Sequence, residues 1–133
     1  MHHEPAQAYL IADGARARLL LRHGDGRYAE LATFEAASHH HSSHGAERSE
    51  AETERERSRF AAELAAALDG FVGKGAFDRL VLVAPPRILS AIRGDLKAAA
   101  KALVTAELAK DLTQLPEARL REVLDELVLQ PLQ

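Results

Sequence analysis

The sequence predicts an α/β domain built on a five-stranded mixed sheet, and three observations carry that expectation. Between Arg16 and Arg22 the arginines Arg16, Arg18 and Arg22 alternate with Ala17, Leu19 and Leu21, the period-two pattern of a half-exposed strand. Leu80-Val81-Leu82-Val83-Ala84 is a continuous β-rich run, which marks a strand buried on both faces. Before and after that run, apolar residues recur at helical spacing, so strands and helices alternate along the second half of the chain.

Ala8-Tyr9-Leu10-Ile11-Ala12 is a short apolar run stopped by Asp13-Gly14, and it reads as the first strand, central in the sheet and followed by a tight turn. The Arg16–Arg22 strand is second. Gly24-Asp25-Gly26 is a hairpin turn, and Tyr28 to Phe34 forms the third strand, completing an antiparallel meander. Ala36 to Arg48 is rich in Ser, His and Ala without an apolar period and reads as a mobile loop. Ser49 with Glu52 makes a capping box that starts a helix running from Glu50 to Leu68. Its first turns, to Arg59, carry charges of both signs. Its later turns place Phe60, Leu64, Leu68 and, beyond, Val72 on one stripe, before Gly70, Gly73 and Gly75 end it.

After the Leu80–Ala84 strand, Pro85-Pro86 opens a second helix with Ile88, Leu89, Ile92 and Leu96 at helical spacing. Ala102 to Leu108 reads as the fifth strand, diluted by alanines. Pro116 opens a third helix with Leu120, Val123, Leu124 and Leu127 as its buried stripe. Right-handed crossovers place the fourth strand beside and parallel to the first and the fifth outside the fourth. The predicted order is 3-2-1-4-5 with strand 2 antiparallel, a ribonuclease-H-like layout in one domain spanning residues 1–133, with a flexible loop at 36–48.

Composition narrows the function classes. The 133 residues suffice for one domain with a sizeable core, and 47% are apolar. The chain has no cysteine, which removes disulfides, thiolate zinc sites and cysteine nucleophiles and fits a cytoplasmic protein. The first residues lack the basic and apolar regions of a signal peptide, and the longest strongly apolar run, Leu80 to Pro86, is too short to span a bilayer. A formal net charge of −3 argues against binding nucleic acid through bulk positive charge, although a local basic patch is compatible with it.

The parallel strands 1, 4 and 5 are expected to end at one edge of the sheet, where open α/β sheets bind ligands. Asp13-Gly14, Pro85-Pro86-Arg87 and Lys110-Asp111 should meet there. The start of the second helix brings free amides and a positive dipole end, favouring an anion. Candidate ligand or RNA contacts are Asp13, Arg16, Arg18, Arg87, Arg93, Lys110 and Asp111. Structural readings stand beside these: Asp13 as a turn cap, Arg87 lining a first helical turn, and Asp111 paired with Arg16 or Lys110. Two-metal nuclease chemistry needs several converging carboxylates, but strand 4 ends in Ala84-Pro85-Pro86, Glu63 falls between core positions, and Asp78 lies at the wrong edge. His39-His40-His41 with His44 offers weak metal candidates in His39, His41 and His44, set against a polar loop that picks up metal only adventitiously. Gly70, Gly73 and Gly75 follow a helix instead of a strand, so they form no phosphate-binding fingerprint. No cofactor and no catalytic residue is indicated.

Ile11-Ala12-Asp13-Gly14-Ala15-Arg16-Ala17-Arg18, Phe77-Asp78-Arg79-Leu80-Val81-Leu82-Val83-Ala84-Pro85-Pro86-Arg87 and Lys110-Asp111-Leu112-Thr113-Gln114-Leu115-Pro116 together resemble the bacterial host attachment protein family in order and spacing, and Phe60-Ala61-x-Glu63-Leu64 fits as well. That family is similar in fold to the middle domain of peptide release factors and their ribosome-rescue relatives. The resemblance implies a release-factor middle-domain-like core and a translation-linked ancestry. Release factors carry a Gly-Gly-Gln loop whose glutamine assists water attack on the peptidyl-tRNA ester. No Gly-Gly-Gln occurs in this sequence, and its 36–48 loop is shorter than the family's. The expectation is a non-enzymatic RNA- or ribosome-associated module in the cytoplasm. The alternatives are a protein–protein module or homodimer, through an edge strand with Tyr28 and Phe34 as anchors or through the third helix, and a hydrolase of esters or phosphates.

Overall fold

The computed structural model describes residues 6–36 and 50–129. The meander comprises β1 (Gln7–Ala12), β2 (Arg16–Arg22) and β3 (Tyr28–Glu35). After it come α1 (Glu50–Gly73), β4 (Arg79–Val83), α2 (Pro86–Asp95), α3 (Ala98–Leu103), β5 (Val104–Leu108) and α4 (Glu117–Leu129). The sheet order is β3-β2-β1-β4-β5. β1 pairs antiparallel with β2 and parallel with β4, and β4 pairs parallel with β5. The predicted fold class and strand order therefore stand.

Alternation sorts the sheet into two faces. One face buries Ala8, Leu10, Ala17, Leu19, Leu80 and Leu82 beneath α1, α2 and α3, whose Phe60, Leu64, Leu68, Ile88, Ile92 and Ala100 complete this core. The other buries Tyr9, Ile11, Leu20, Val81 and Val83 beneath Leu120 and Leu124 of α4. β4 contributes to both clusters, as its uninterrupted apolar run required.

Three boundaries differ from the sequence reading. First, α1 continues through Gly70 to Gly73 because Phe71 and Val72 still pack on the core. It ends in a Schellman motif: Ala76 N–H donates to Phe71 O at 3.0 Å and Gly75 N–H to Val72 O at 3.0 Å, with Gly75 at φ +70°, where a Cβ would be strained. Second, the alanines of 98–103 form the short helix α3, so the fifth strand starts at Val104, not Ala102. Alanine is the best helix former, and this stretch has too few large apolar residues to show a period. Third, Leu96 lies one residue past α2 as its C-cap and is buried there. β3 carries an irregularity opposite Leu19 and Leu20, which leaves Leu31 outside the paired register.

Candidate functional site

The carboxyl edge of the parallel strands is built by three turns. Asp13, directly after β1, holds the β1–β2 turn: its Oδ1 accepts from Ala15 N–H and Arg16 N–H, both at 2.7 Å. Its Oδ2 lies 3.2 Å from the Thr113 hydroxyl. Thr113 also donates its backbone N–H to Asp111 Oδ1 at 2.9 Å and makes a short hydroxyl contact with the same oxygen. One hydroxyl proton can serve only one of these carboxylates at a time. Thr113 thus ties the segment after β5 to the turn after β1. Asp13 and Asp111 act here as loop ties, and Asp111 accepts from Thr113 instead of pairing with Arg16 or Lys110.

The third turn is Pro85-Pro86, where α2 begins with Pro86 at its first position and Leu89 N–H donates to Pro85 O at 2.9 Å. Asp13, Gly14, Pro85, Pro86, Arg87, Ile88 and Asp111 line an open cleft of about 520 Å³, and Arg57 of α1 closes its side. A smaller hollow of about 310 Å³, lined by Glu50, Thr53, Glu54, Arg57 and Arg87, adjoins it through the two shared arginines. Arg57 Nη1 and Arg87 Nη1 approach the same oxygen, Glu54 Oε1, at 3.5 and 3.4 Å. These are long, solvent-exposed contacts, and the Arg87 side chain is 77% exposed. The Arg57 stem lies over Gly14: a Cβ there would sit 3.5 Å from Arg57 Cγ.

The other predicted residues divide between this edge and its surroundings. Arg16 and Arg18 lie on the α4 face of β2, beside a second hollow of about 580 Å³ that also includes Thr33, Glu35 and Thr113. Arg18 is a strut. Its Nε meets Glu30 at 2.8 Å, and its two terminal nitrogens meet Glu117, at the start of α4, at 3.0 and 3.3 Å. The bond from Arg18 holds the Glu117 carboxyl below the usual glutamate range, and the Glu117 carboxylate raises the Arg18 guanidinium in turn. Lys110 is exposed just past β5. Arg93 stands apart, in the last turn of α2, roughly 9 Å along the helix axis from Arg87, and is bound to Glu107 of β5 at 2.6 Å. Glu63 is exposed, and Asp78 accepts from Ala6 N–H at 2.8 Å at the opposite edge. His39, His41 and His44 lie outside the described residues.

Arg57 was not a sequence candidate. It sits in the mixed-charge run of α1, where nothing but its i−3 partner Glu54 is legible, and only the fold brings Arg87 to the same carboxylate. A second cluster also went unread, at the amino edge of the sheet on the α4 face. Tyr28 donates its hydroxyl to Asp125 at 2.7 Å, and Arg22 Nε lies 3.5 Å from the same oxygen. Tyr28 packs against the buried Tyr9 with ring centroids 5.8 Å apart, and Gln7 donates to the Tyr9 hydroxyl at 2.7 Å. Burial raises both phenols, and the Asp125 carboxylate raises Tyr28 further. Tyr28 is therefore turned to α4, while Phe34 packs against the other core. As edge-strand anchors they would face opposite ways.

No curated protein matches the sequence. Among solved structures, the chain is similar to an archaeal translation termination factor, aRF1, with a TM-score of 0.57 at 16% identity over 93% of this chain and 40% of that one. The S. cerevisiae translation termination-like factor Dom34 (TM-score 0.47, 10% identity, 92% of this chain, 39% of that one) and the Aquifex aeolicus Ppx/GppA phosphatase (TM-score 0.44, 12% identity, 79% and 35%) are more distant. The chain spans about 40% of the first neighbour's length, and at this identity the likeness is one of fold. No helix among the described residues is long and apolar enough to cross a membrane. Two of the three sequence segments that resemble the host attachment proteins, the middle and the late one, fall within residues 32–124, which match the family model described as "Protein required for attachment to host cells"; the chain belongs to that family.

Proposed function

We propose that this protein is a non-enzymatic module that binds RNA or the ribosome through the carboxyl edge of its sheet. The observation that carries the reading is the convergence there of Arg57 and Arg87 on one cleft at the start of α2, with Arg16 exposed at the start of β2 and Lys110 exposed just past β5. Guanidinium groups suit phosphate because their planar donors match its oxygens, and a helix start adds a favourable dipole. The fold likeness to a translation termination factor supports a translation-linked partner. The cleft carboxylates Asp13 and Asp111 are engaged with backbone amides and Thr113, which suits a role in shaping the loops.

Ribosome co-sedimentation from low to moderate salt tests this reading, with Arg87→Glu/Lys110→Glu as the control. Wild type should pellet with ribosomes, lose binding steeply with salt, and require the two cations. Wild type remaining in the supernatant at low salt would overturn the reading.

A further inference from the structure

We infer that Glu54 occupies, in the free protein, the position between Arg57 and Arg87 that a ligand phosphate takes, so that it acts as a built-in competitor for the cleft. This rests on the phosphate-contact reading above and adds to it the place of the phosphate and the group that must give way.

The argument begins with the spacing. Glu54 and Arg57 are one helical turn apart, and such a pair alone is ordinary surface decoration. Arg87 is different: it comes from another helix, 33 residues away, and its Nη1 approaches the same Glu54 oxygen. Two guanidiniums from separate elements that converge on one carboxylate oxygen define a point where an anionic oxygen is held. The contacts, 3.4 and 3.5 Å long, are those of a loose fit, and all three side chains are at least 40% exposed. A phosphate brings more acceptor oxygens and more charge than a carboxylate, so it can satisfy both arginines with shorter bonds.

The surroundings fit an exchange of anions. Gly14 leaves the stem of Arg57 lying directly on the β1–β2 turn, at the wall of the larger cleft. The smaller hollow that contains Glu54 opens on the same two arginines, so the carboxylate can swing aside without leaving solvent. Asp13 and Asp111 also line the cleft, but two backbone amides already bond to Asp13 and the Thr113 amide to Asp111, with the Thr113 hydroxyl serving one or the other. Glu54 is the carboxylate whose bonds the ligand would replace.

The test follows the side-chain Nε–Hε resonances of Arg57 and Arg87 in the full-length protein during titration with inorganic phosphate. It compares wild type, Glu54→Gln and Arg57→Gln/Arg87→Gln, each checked for fold by circular dichroism. Phosphate should move both resonances, and Glu54→Gln should lower the half-saturating concentration about fivefold, the effect of removing a unit charge roughly 4 Å away in water-like surroundings. An unchanged half-saturation in Glu54→Gln, or no movement of either resonance, would overturn the inference. The same proteins are then titrated into a short oligouridine. Phosphate capture without RNA binding would retain the competitor role and remove the RNA reading. RNA binding of equal strength in all three proteins would overturn the competitor role and place RNA contacts away from this cleft.

Discussion

Two polar clusters sit at opposite edges of the same sheet, and they use similar side chains to different ends. At the amino edge Arg22, Tyr28 and Asp125 close on one another over the buried Tyr9, with a 2.7 Å hydroxyl–carboxylate bond at the centre. At the carboxyl edge Arg57 and Arg87 share Glu54 through contacts of 3.4–3.5 Å in open solvent. The two carboxylates are equally exposed, and burial of their partners makes the difference: Tyr28 and Arg22 are half-buried, whereas the Arg57 and Arg87 side chains are more open to solvent. A desolvated polar group costs free energy unless its partner is in place, so the Tyr28 hydroxyl is bonded to Asp125 and latches α4 to the sheet, whereas Arg22 Nε, buried beside them, makes no hydrogen bond and only approaches Asp125 at 3.5 Å. Exposed charges are held weakly by their neighbours and can exchange them for a ligand.

The contrast can be broken at either cluster. The largest effect is expected beneath the amino-edge latch, where Leu124→Ala removes a fully buried side chain from the α4 core; it should destabilise the protein by about 2–5 kcal/mol in urea unfolding. Asp125→Ala should cost about 1–3 kcal/mol, because it leaves the Tyr28 hydroxyl and Arg22 without their carboxylate. Adding Tyr28→Phe should cost less than the sum of the single changes, and strict additivity would show that the latch is no cooperative unit.

A smaller effect is expected at the Arg18–Glu117 strut. Glu117 titrates below its usual range when folded, so its contribution is present above the unfolded pKa of about 4.3 and is lost as pH falls through the lowered folded value. The gap in urea midpoint between wild type and Glu117→Gln, worth under about 1 kcal/mol at neutral pH for so exposed a pair, should close on acidification. A gap that widens in acid would contradict the strut. The smallest change in stability, within about 0.5 kcal/mol, is expected for Arg57→Gln/Arg87→Gln, which should still abolish phosphate capture. A large loss of stability there would make the two clusters alike.

Much of the fold was legible because its signals are local. The arginine alternation of β2 set both its faces, the run at Leu80 announced a strand with two buried faces, and Pro85-Pro86 marked the start of α2. α3 escaped notice because Ala98 to Leu103 offers high helix propensity with almost no polar–apolar contrast. The candidate site was legible in part. Asp13, Arg87 and Asp111 share the cleft, as the topology of parallel strands required, whereas Arg93, read only as a cation on α2, is held on the flank by Glu107.

The sequence by itself determined, α3 apart, which segments are strands and helices, which of their faces are apolar, and, through the rules of chain connection, the order of the sheet. These follow from periodicity and short-range sterics, which need no knowledge of distant partners. Only the tertiary structure decided which charges meet. Arg87 reaches Glu54, Arg18 reaches Glu117 and Tyr28 reaches Asp125 across 33, 99 and 97 residues. No local pattern encodes such meetings, because a long side chain settles on whatever partner the packed helices bring within a few ångströms.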